Sequence, residues 1–476
     1  MHPFGRRWHA SGFQLIRELI LKIPYGFGEG EKTMLACRTK EDIFAVVTEY
    51  DVSFVQFWFT DVLGRLKSFN ITPSELDEGI DEGMGFDGSS IEGFARIYES
   101  DMIAKPVLST FQLVPWRPGD RPVARMFCDI LNPDCTPYDG CPRYALKRVL
   151  KKVSDMGYTA YLGPELEYFY FKDETAPAII DRGGYFDGLP IDKGPNIRRD
   201  TIFSLQKMGI QVEYSHHEVA PSQHEIDLKY NEALAMADTV MTYRTTVKEI
   251  ARQHGIYATF MPKPLFGENG SGMHVHQSLF KSGRNAFYDE KDKYHLSMTA
   301  KHYIAGILTH APEITAICNQ WINSYKRLVP GYEAPVYVSW ARMNRSSMVR
   351  VPMYKPGKAD ATRMEFRSPD PACNPYLAFA VMIAAGLKGI EGKYRLPEPV
   401  EEDIFEMSED EREKAGIVTL PGSLYEAVKN ASMSPLVRET LGDHIFFKFI
   451  ENKKKEWDAF RTHVSRFEIE NYLPVL

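Results

Sequence analysis

Two histidines spaced two apart follow a run of small residues in Asn269-Gly270-Ser271-Gly272-Met273-His274-Val275-His276-Gln277-Ser278. Residues two apart on a strand share a face, and glycine lets backbone amides approach a ligand closely. His274 and His276 are therefore predicted to project together beside a substrate-sized notch. Glu165 and Glu167 stand in the bulky run YLGPELEYFYF, which predicts a strand with both carboxylates on one side. Adjacent carboxylates repel unless a cation or a proton lies between them. Glu218 and Glu225 in SHHEVAPSQHEID, and Glu365 in EFRSPDP, complete a set of five glutamates and one histidine. Carboxylate oxygens with one imidazole suit hard divalent cations such as Mg2+ or Mn2+. No thiolate belongs to the set, so structural zinc does not fit. Six ligands suffice for two metal sites of three protein ligands each.

The second half of the chain is rich in arginines set among turns: Arg327, Arg345, Arg350, Arg363 and Arg367. Guanidinium groups grip carboxylate and phosphate in two-pronged fashion. Metal-binding carboxylates beside such arginines point to phosphoryl transfer to or from a carboxylate substrate. Taken singly, each feature has a blander reading. The glutamate strand could be a solvated acidic edge, and any one arginine a surface ion pair. No phosphate-binding P-loop and no dinucleotide fingerprint occurs, so ATP would need a different cradle.

These residues must be carried by a chain of 476 residues, 44% hydrophobic and 25% charged, with net charge −7. That composition is ordinary for a globular protein. With no basic run, nucleic acid is not expected as a partner. No stretch reaches 18 uninterrupted apolar residues, so no membrane span is expected. The six cysteines form no C-x-x-C pair and read as free thiols of a reducing cytoplasm. Residues 1–33 read as a poorly ordered N-terminal extension. Thr39 with Asp42 predicts a capped helix start. The run VSFVQFWF predicts a strand, and residues 66–71 its return. A small mixed domain is predicted over residues 50–135. The segment NPDCTPYDGCP, with three prolines, reads as the linker to a large second domain over 141–476.

The longer motifs carry a family resemblance. FDGSSIEGFARIYESDM, GPELEYFYF, SHHEVAPSQHEID, FMPKPLFGENGSGMHVH, NSYKRLVPGYEAP, NRSSMVRVP and EFRSPDPACNPYLAFA together resemble type I glutamine synthetases, of the archaeal and Gram-positive branch. The resemblance runs from about residue 38 to the C-terminus. It implies an α+β fold: an N-terminal β-grasp domain, then a catalytic domain with a curved antiparallel sheet flanked by helices. It implies a homo-dodecamer of two stacked hexameric rings with active sites between subunits. It also implies the reaction: L-glutamate attacks ATP to form γ-glutamyl phosphate, ammonium loses a proton and displaces the phosphate, and L-glutamine and ADP leave.

Residue roles follow from the same resemblance. Glu167, Glu218 and Glu225 resemble the ligands of the metal nearer glutamate, and Glu165, His274 and Glu365 those of the metal nearer the ATP phosphates. Asn269, Gly270, Arg327, Glu333, Arg345 and Arg367 match glutamate contacts. Glu213, His276, Gln277, Ser278, Arg345 and Arg350 match nucleotide contacts. Asp87 and Ser90 of a neighbouring subunit, with Tyr185, Glu218 and Glu333, match an ammonium pocket. Asp87, Glu333, Arg345 and Arg367 are the expected catalytic residues, and Gly331 would let a flap bearing Glu333 close over the site.

Departures are as informative. The regulatory tyrosine of adenylylated relatives falls on Phe405, in DIFEMSEDER, which has no hydroxyl to modify. Control by small-molecule effectors or by a small regulatory protein stays open. Lys358 lies near the position of a nucleotide-side lysine, in a segment (353–362) that differs from the family. Two other functions compete: a ligase that joins glutamate to a larger amine, and an inactive nitrogen-sensing paralogue. The intact pocket and metal set argue against both.

Overall fold

The computed structural model describes residues 37–91, 93, 101–116, 121–353 and 357–476. The expected N-terminal extension lies outside the described residues, as do residues 92 and 94–100 of the FDGSS motif and 354–356 of the divergent segment. Thr39 caps the first described helix, Lys40–Glu49, through a capping box with Asp42. The aromatic run predicted as a strand forms Phe54–Thr60 and turns back into Leu66–Ile71. These strands belong to a small sheet in the order Leu66–Ile71, Phe54–Thr60, Val123–Leu131, Asp101–Pro106, Met84–Asp87. Its core holds Val55, Phe57, Met126 and Ile130, packed with Ile43 and Val47 of the helix.

A second, ten-stranded sheet follows. Its main path runs Trp340–Ala341, Val349–Arg350, Met364–Phe366, Met273–Lys281, Thr159–Phe171, Gln223–Leu228, Val212–His217. The pairings are antiparallel, as the resemblance implies, except for the parallel edge pair Trp340–Ala341 with Val349–Arg350. The alternation of side chains decides what each face does. Leu162, Leu166, Met273, Val275 and Leu279 are buried on the face that meets the helices. Each such side chain contributes roughly 1.5–3 kcal/mol by leaving water.

That apolar face rests on the helices Ala233–Gln253, Met298–Cys318 and Pro375–Glu391. The last two approach so closely that a Cβ on Gly389 would lie 2.1 Å from the carbonyl of His302. Gly306 and Gly389 are therefore required by backbone contact. Charge pairs tie the small sheet to the helices packed against the large one. Arg143, on helix Pro142–Asp155, donates to both oxygens of Asp238 (3.0 and 2.9 Å) and to Asp129 of the small sheet (2.5 Å). Burial opposes the Arg143 charge, but the Asp238 carboxylate outweighs it and raises the pKa.

Among the described residues no helix is long and apolar enough to cross a membrane. The six cysteines form no disulfide.

Candidate active site

The register of the large sheet explains why distant carboxylates meet. Residues directly opposite each other in neighbouring strands share a face. His274 stands opposite Glu165, and Glu365 opposite His276. Glu225 stands opposite Glu167, and Asp227 opposite Glu165. Arg350 pairs with Glu365, and His216 with Glu225. Six strands thus deliver their polar residues to one face while their neighbours feed the apolar core.

One group on this face is Glu165, His274 and Glu365, with ligand atoms within 4.8 Å of one another. His274 Nδ1 lies 3.6 Å from Glu165 and 3.7 Å from Glu365. Arg350 and Arg367 grip the two oxygens of Glu365 at 2.5 and 2.7 Å. Burial opposes ionisation of Glu365, but Arg367, His276, His274 and Arg350 together outweigh it and bring the carboxyl down to about 2. Burial also opposes ionisation of Glu165, yet His276 and His274 hold it well below the usual carboxylate range. Burial, with Arg367 nearby, keeps His274 neutral by lowering its pKa. A neutral imidazole beside two carboxylates is a ligand-ready set.

A second group joins Glu167, Glu218 and Glu225 with neighbours that sequence reasoning does not reach. Glu225 clusters within 4.8 Å of His216 and Asp227. His216 Nε2 lies 2.7 Å from Glu218 Oε1. Glu167 Oε2 accepts from Gln223 (2.8 Å) and from the amide of Gly272 (3.0 Å). Burial, then the Glu218 charge, pushes Glu167 up to about 8. Burial, then Asp227, pushes Glu225 well up, and Asp227 itself is raised to about 6 by burial and Glu165. Glu225 Oε1, Asp227 Oδ1 and His216 Nδ1 are buried without a hydrogen-bond partner. Crowded carboxylates with orphaned oxygens fit a divalent cation. The alternation Gln223, Glu225, Asp227 was the available signal for Asp227.

The glycine notch is sterically specified. A Cβ on Gly270 would meet the Pro262 carbonyl at 2.4 Å and Arg327 Cγ at 3.0 Å. One on Gly272 would meet the Arg327 guanidinium at 2.6 Å. Arg327 is buried and donates to the carbonyls of Ser368, Pro369 and Arg367 at 2.7–3.2 Å. It thereby holds the turn that carries Arg367. Asn269 Nδ2 donates to Glu333 Oε2 at 3.1 Å, linking the notch to the PGYE segment. Glu333 has φ +57°, a left-handed conformation that costs a non-glycine residue energy and often marks a functional site. Gly331, at φ +91°, has open space around it, and Lys263 sits 3.6 Å over the Tyr332 ring.

The nucleotide-side residues divide. His276 donates from Nε2 to Glu165 (2.7 Å), because its Nδ1 accepts from Arg363 (3.1 Å). Ser278 shares that face. Gln277 points the other way, into the core, where it accepts from the Tyr303 hydroxyl at 2.8 Å. Only its backbone can face a nucleotide. Glu213 is exposed in the bulge between Val212 and Tyr214. Tyr185 is raised in pKa by burial and by the Glu218 charge, with the Arg345 charge acting against them. Those three residues therefore stand together. Asp87 ends the edge strand of the small sheet and Ser90 lies in the turn after it; both are exposed, and neither belongs to the sheet that carries the carboxylates.

Comparison with known proteins identifies the sequence pattern. The family model for the glutamine synthetase catalytic domain matches residues 139–472, and that for the glutamine synthetase β-grasp domain matches 51–133. A glutamine synthetase of Mycolicibacterium smegmatis is 52% identical over 92% of this chain and 99% of its own length. One of Thermotoga maritima is 50% identical over 91% and 99%. Among solved structures, a Plasmodium falciparum glutamine synthetase covers 93% of this chain and 100% of its own, with TM-score 0.83 and 25% identity. A GmaS–ADP complex gives TM-score 0.83 and 28% identity over the same shares.

Proposed function

Because the chain belongs to the glutamine synthetase family, we propose that the polar face of its large sheet is where glutamate, ATP and ammonium react, with two divalent cations. The enzyme ligates ammonium to L-glutamate with ATP, giving L-glutamine, ADP and phosphate. The observation that carries the site assignment is the register, which collects Glu165, Glu167, Glu225, His274 and Glu365 on one face.

The donor set fits Mg2+ or Mn2+. Glu165, His274 and Glu365 would hold one ion; Glu167, Glu218 and Glu225 would hold the other. Bound there, the ions would neutralise phosphate charge and order the reacting groups. The protein supplies the rest. Asn269 and the Gly270 amide region would receive the amino-acid end of glutamate, with Arg327 and Arg367 at its carboxylates. Arg345 and Arg350 would balance charge on the transferred phosphoryl group, and Glu213, His276, the Gln277 backbone and Ser278 would face the nucleotide. A carboxylate is a poor electrophile, and γ-phosphorylation supplies a leaving group.

Tyr185, Glu218 and Glu333, completed by Asp87 and Ser90 of a neighbouring subunit, would attract ammonium and take its proton before attack. Glu333 on its flap would keep water from the acyl phosphate. This arrangement needs at least two subunits, and we infer the dodecamer of two stacked hexamers and a cytoplasmic location. The division is that of the sequence: residues 50–135 build the domain presenting Asp87, and 141–476 the catalytic domain.

The test is phosphate release from ATP with glutamate and Mg2+, comparing ammonium with a panel of amines. Release dependent on both glutamate and ammonium, with glutamine as product, supports the reading. Release only with a bulky amine would assign the pocket to an amine ligase.

A further inference from the structure

Behind the strand end that carries Glu218 lies a second buried charge cluster, used by none of the assignments above. Asp181, Asp192, His217 and His224 bring ligand-type atoms within 4.8 Å of one another. Its hydrogen bonds fill it with protein cations. Arg198 lies 2.6 Å from Asp192 Oδ2, and its NH1 lies 2.7 Å from His224 Nδ1. A guanidinium only donates, so His224 Nδ1 accepts and its ring is neutral. His217 faces an acceptor at each nitrogen: the Glu218 carbonyl at 2.7 Å from Nδ1 and Asp181 Oδ1 at 2.9 Å from Nε2. Both nitrogens must then donate, and the ring is an imidazolium. Two carboxylates, one guanidinium and one imidazolium sum to zero, so the cluster is balanced without an ion.

The cluster ties two pieces of the site together. Asp181 accepts from the amides of Ser222 (3.0 Å) and Lys193 (3.0 Å), closing residues 181–193 into a loop. The amide of Phe186 donates to the His217 carbonyl at 3.0 Å. A Cβ on Gly183 would lie 2.6 Å from His217 Nε2, so the loop is moulded round the imidazole. That loop presents Tyr185, whose ring stacks on Phe186 at 4.2 Å and meets His216 edge-on at 5.4 Å. His216 in turn holds Glu218. His217 thus touches the Tyr185 loop on one side and the Glu218 backbone on the other.

We propose that Asp181 and His217 are positioning residues that lock the Tyr185 loop to the Glu218 turn, so that the pocket for the nitrogen nucleophile is assembled before substrates bind. Neither touches a reacting atom. The inference rests on the assignment of Tyr185 and Glu218 to the ammonium pocket. Such outer partners commonly change affinity by about 10–100-fold when altered.

Steady-state kinetics of the assembled enzyme test it, with His217→Asn, Asp181→Asn, the double variant, Gly183→Ala and Tyr185→Phe. His217→Asn and Asp181→Asn are each expected to raise the ammonium KM about tenfold or more. The glutamate and ATP KM should rise less than the ammonium KM, because Glu167, Glu225 and the whole of the other proposed metal set lie outside the lock. The double variant should be no worse than the worse single one, because both remove one pair. If His217→Asn does not fold, Gly183→Ala displaces the imidazole while keeping every charge, and should raise the same KM. A lowered melting temperature with an unchanged ammonium KM would reduce the pair to a structural role and overturn the proposal. Tyr185→Phe separates the failures. If it raises the ammonium KM while the lock variants do not, the lock is wrong. If it changes nothing, the pocket assignment and the lock both fall.

Discussion

Glu167 and Glu225 stand directly opposite each other in neighbouring antiparallel strands, on the same buried face of the sheet. Like charges in that relation are destabilising, and both carboxyls are pushed up, first by burial and then by further acids, Glu167 to about 8. A fold keeps such a pair where a bound cation repays it.

The pair gives the metal-free protein a distinctive pH response. A carboxyl raised in the folded state contributes stability that is fully present below its unfolded value, 4.5, and lost as pH rises through the folded one. Glu165 and Glu365 are lowered, so their contributions change only at acid pH. His274 and His224 are lowered too and act below about pH 6.5. Between pH 7 and 8.5, thermal unfolding in chelator should therefore move to lower temperature. Saturating Mg2+ should reverse that trend, because it binds the ionised carboxylates. A melting temperature in chelator that climbs over this range would contradict the crowded-carboxylate account.

Glu333 is tied to Asn269 by one hydrogen bond and sits in a left-handed conformation beside Gly331. Removing its carboxylate in Glu333→Ala should leave ATP and metal binding near normal. Glutamine formation should fall by about 10²-fold or more, the usual loss for a proton-transfer group. Calorimetric titration with ATP and a coupled glutamine assay measure the two separately. Normal turnover would remove the residue from the chemistry.

Asp87 lies on the exposed edge of the small sheet, and the proposed function assigns it to a neighbouring subunit's ammonium pocket. Asp87→Ala should raise the ammonium requirement far more than the glutamate requirement. Mixing it with a Glu333→Ala variant after dissociating and reassembling the rings should restore some activity, since a Glu333-intact face can then meet an Asp87-intact edge. Absence of recovery in verified mixed rings would argue that each site is built within one chain.

Gly270→Ala should be severe for a steric reason alone. Its new Cβ would lie 2.4 Å from the Pro262 carbonyl, so backbone must shift, at about 1–3 kcal/mol for overpacking. Glutamate affinity should fall with stability. Gly188→Ala, where nothing lies within 4 Å, is the matched control and should be silent in both assays.

Sequence alone determined the chemistry and much of the local architecture. Strand alternation put Glu165 and Glu167 on one side of Thr159–Phe171, and His274 and His276 on one side of Met273–Lys281. The capping residue Thr39 marked a helix start that the structure bears out. The same alternation rule sends Gln277 to the core, which the motif by itself conceals. What only the tertiary structure decided is which strands are neighbours. Register brings Asp227 opposite Glu165 and His216 opposite Glu225, and a one-residue slip would reverse every face. The Asp181–His217 pair joins residues 36 positions apart, and no local periodicity encodes such a meeting. It arises because a buried imidazole must find acceptors for both of its protons, and the folded chain supplies them from a distant loop.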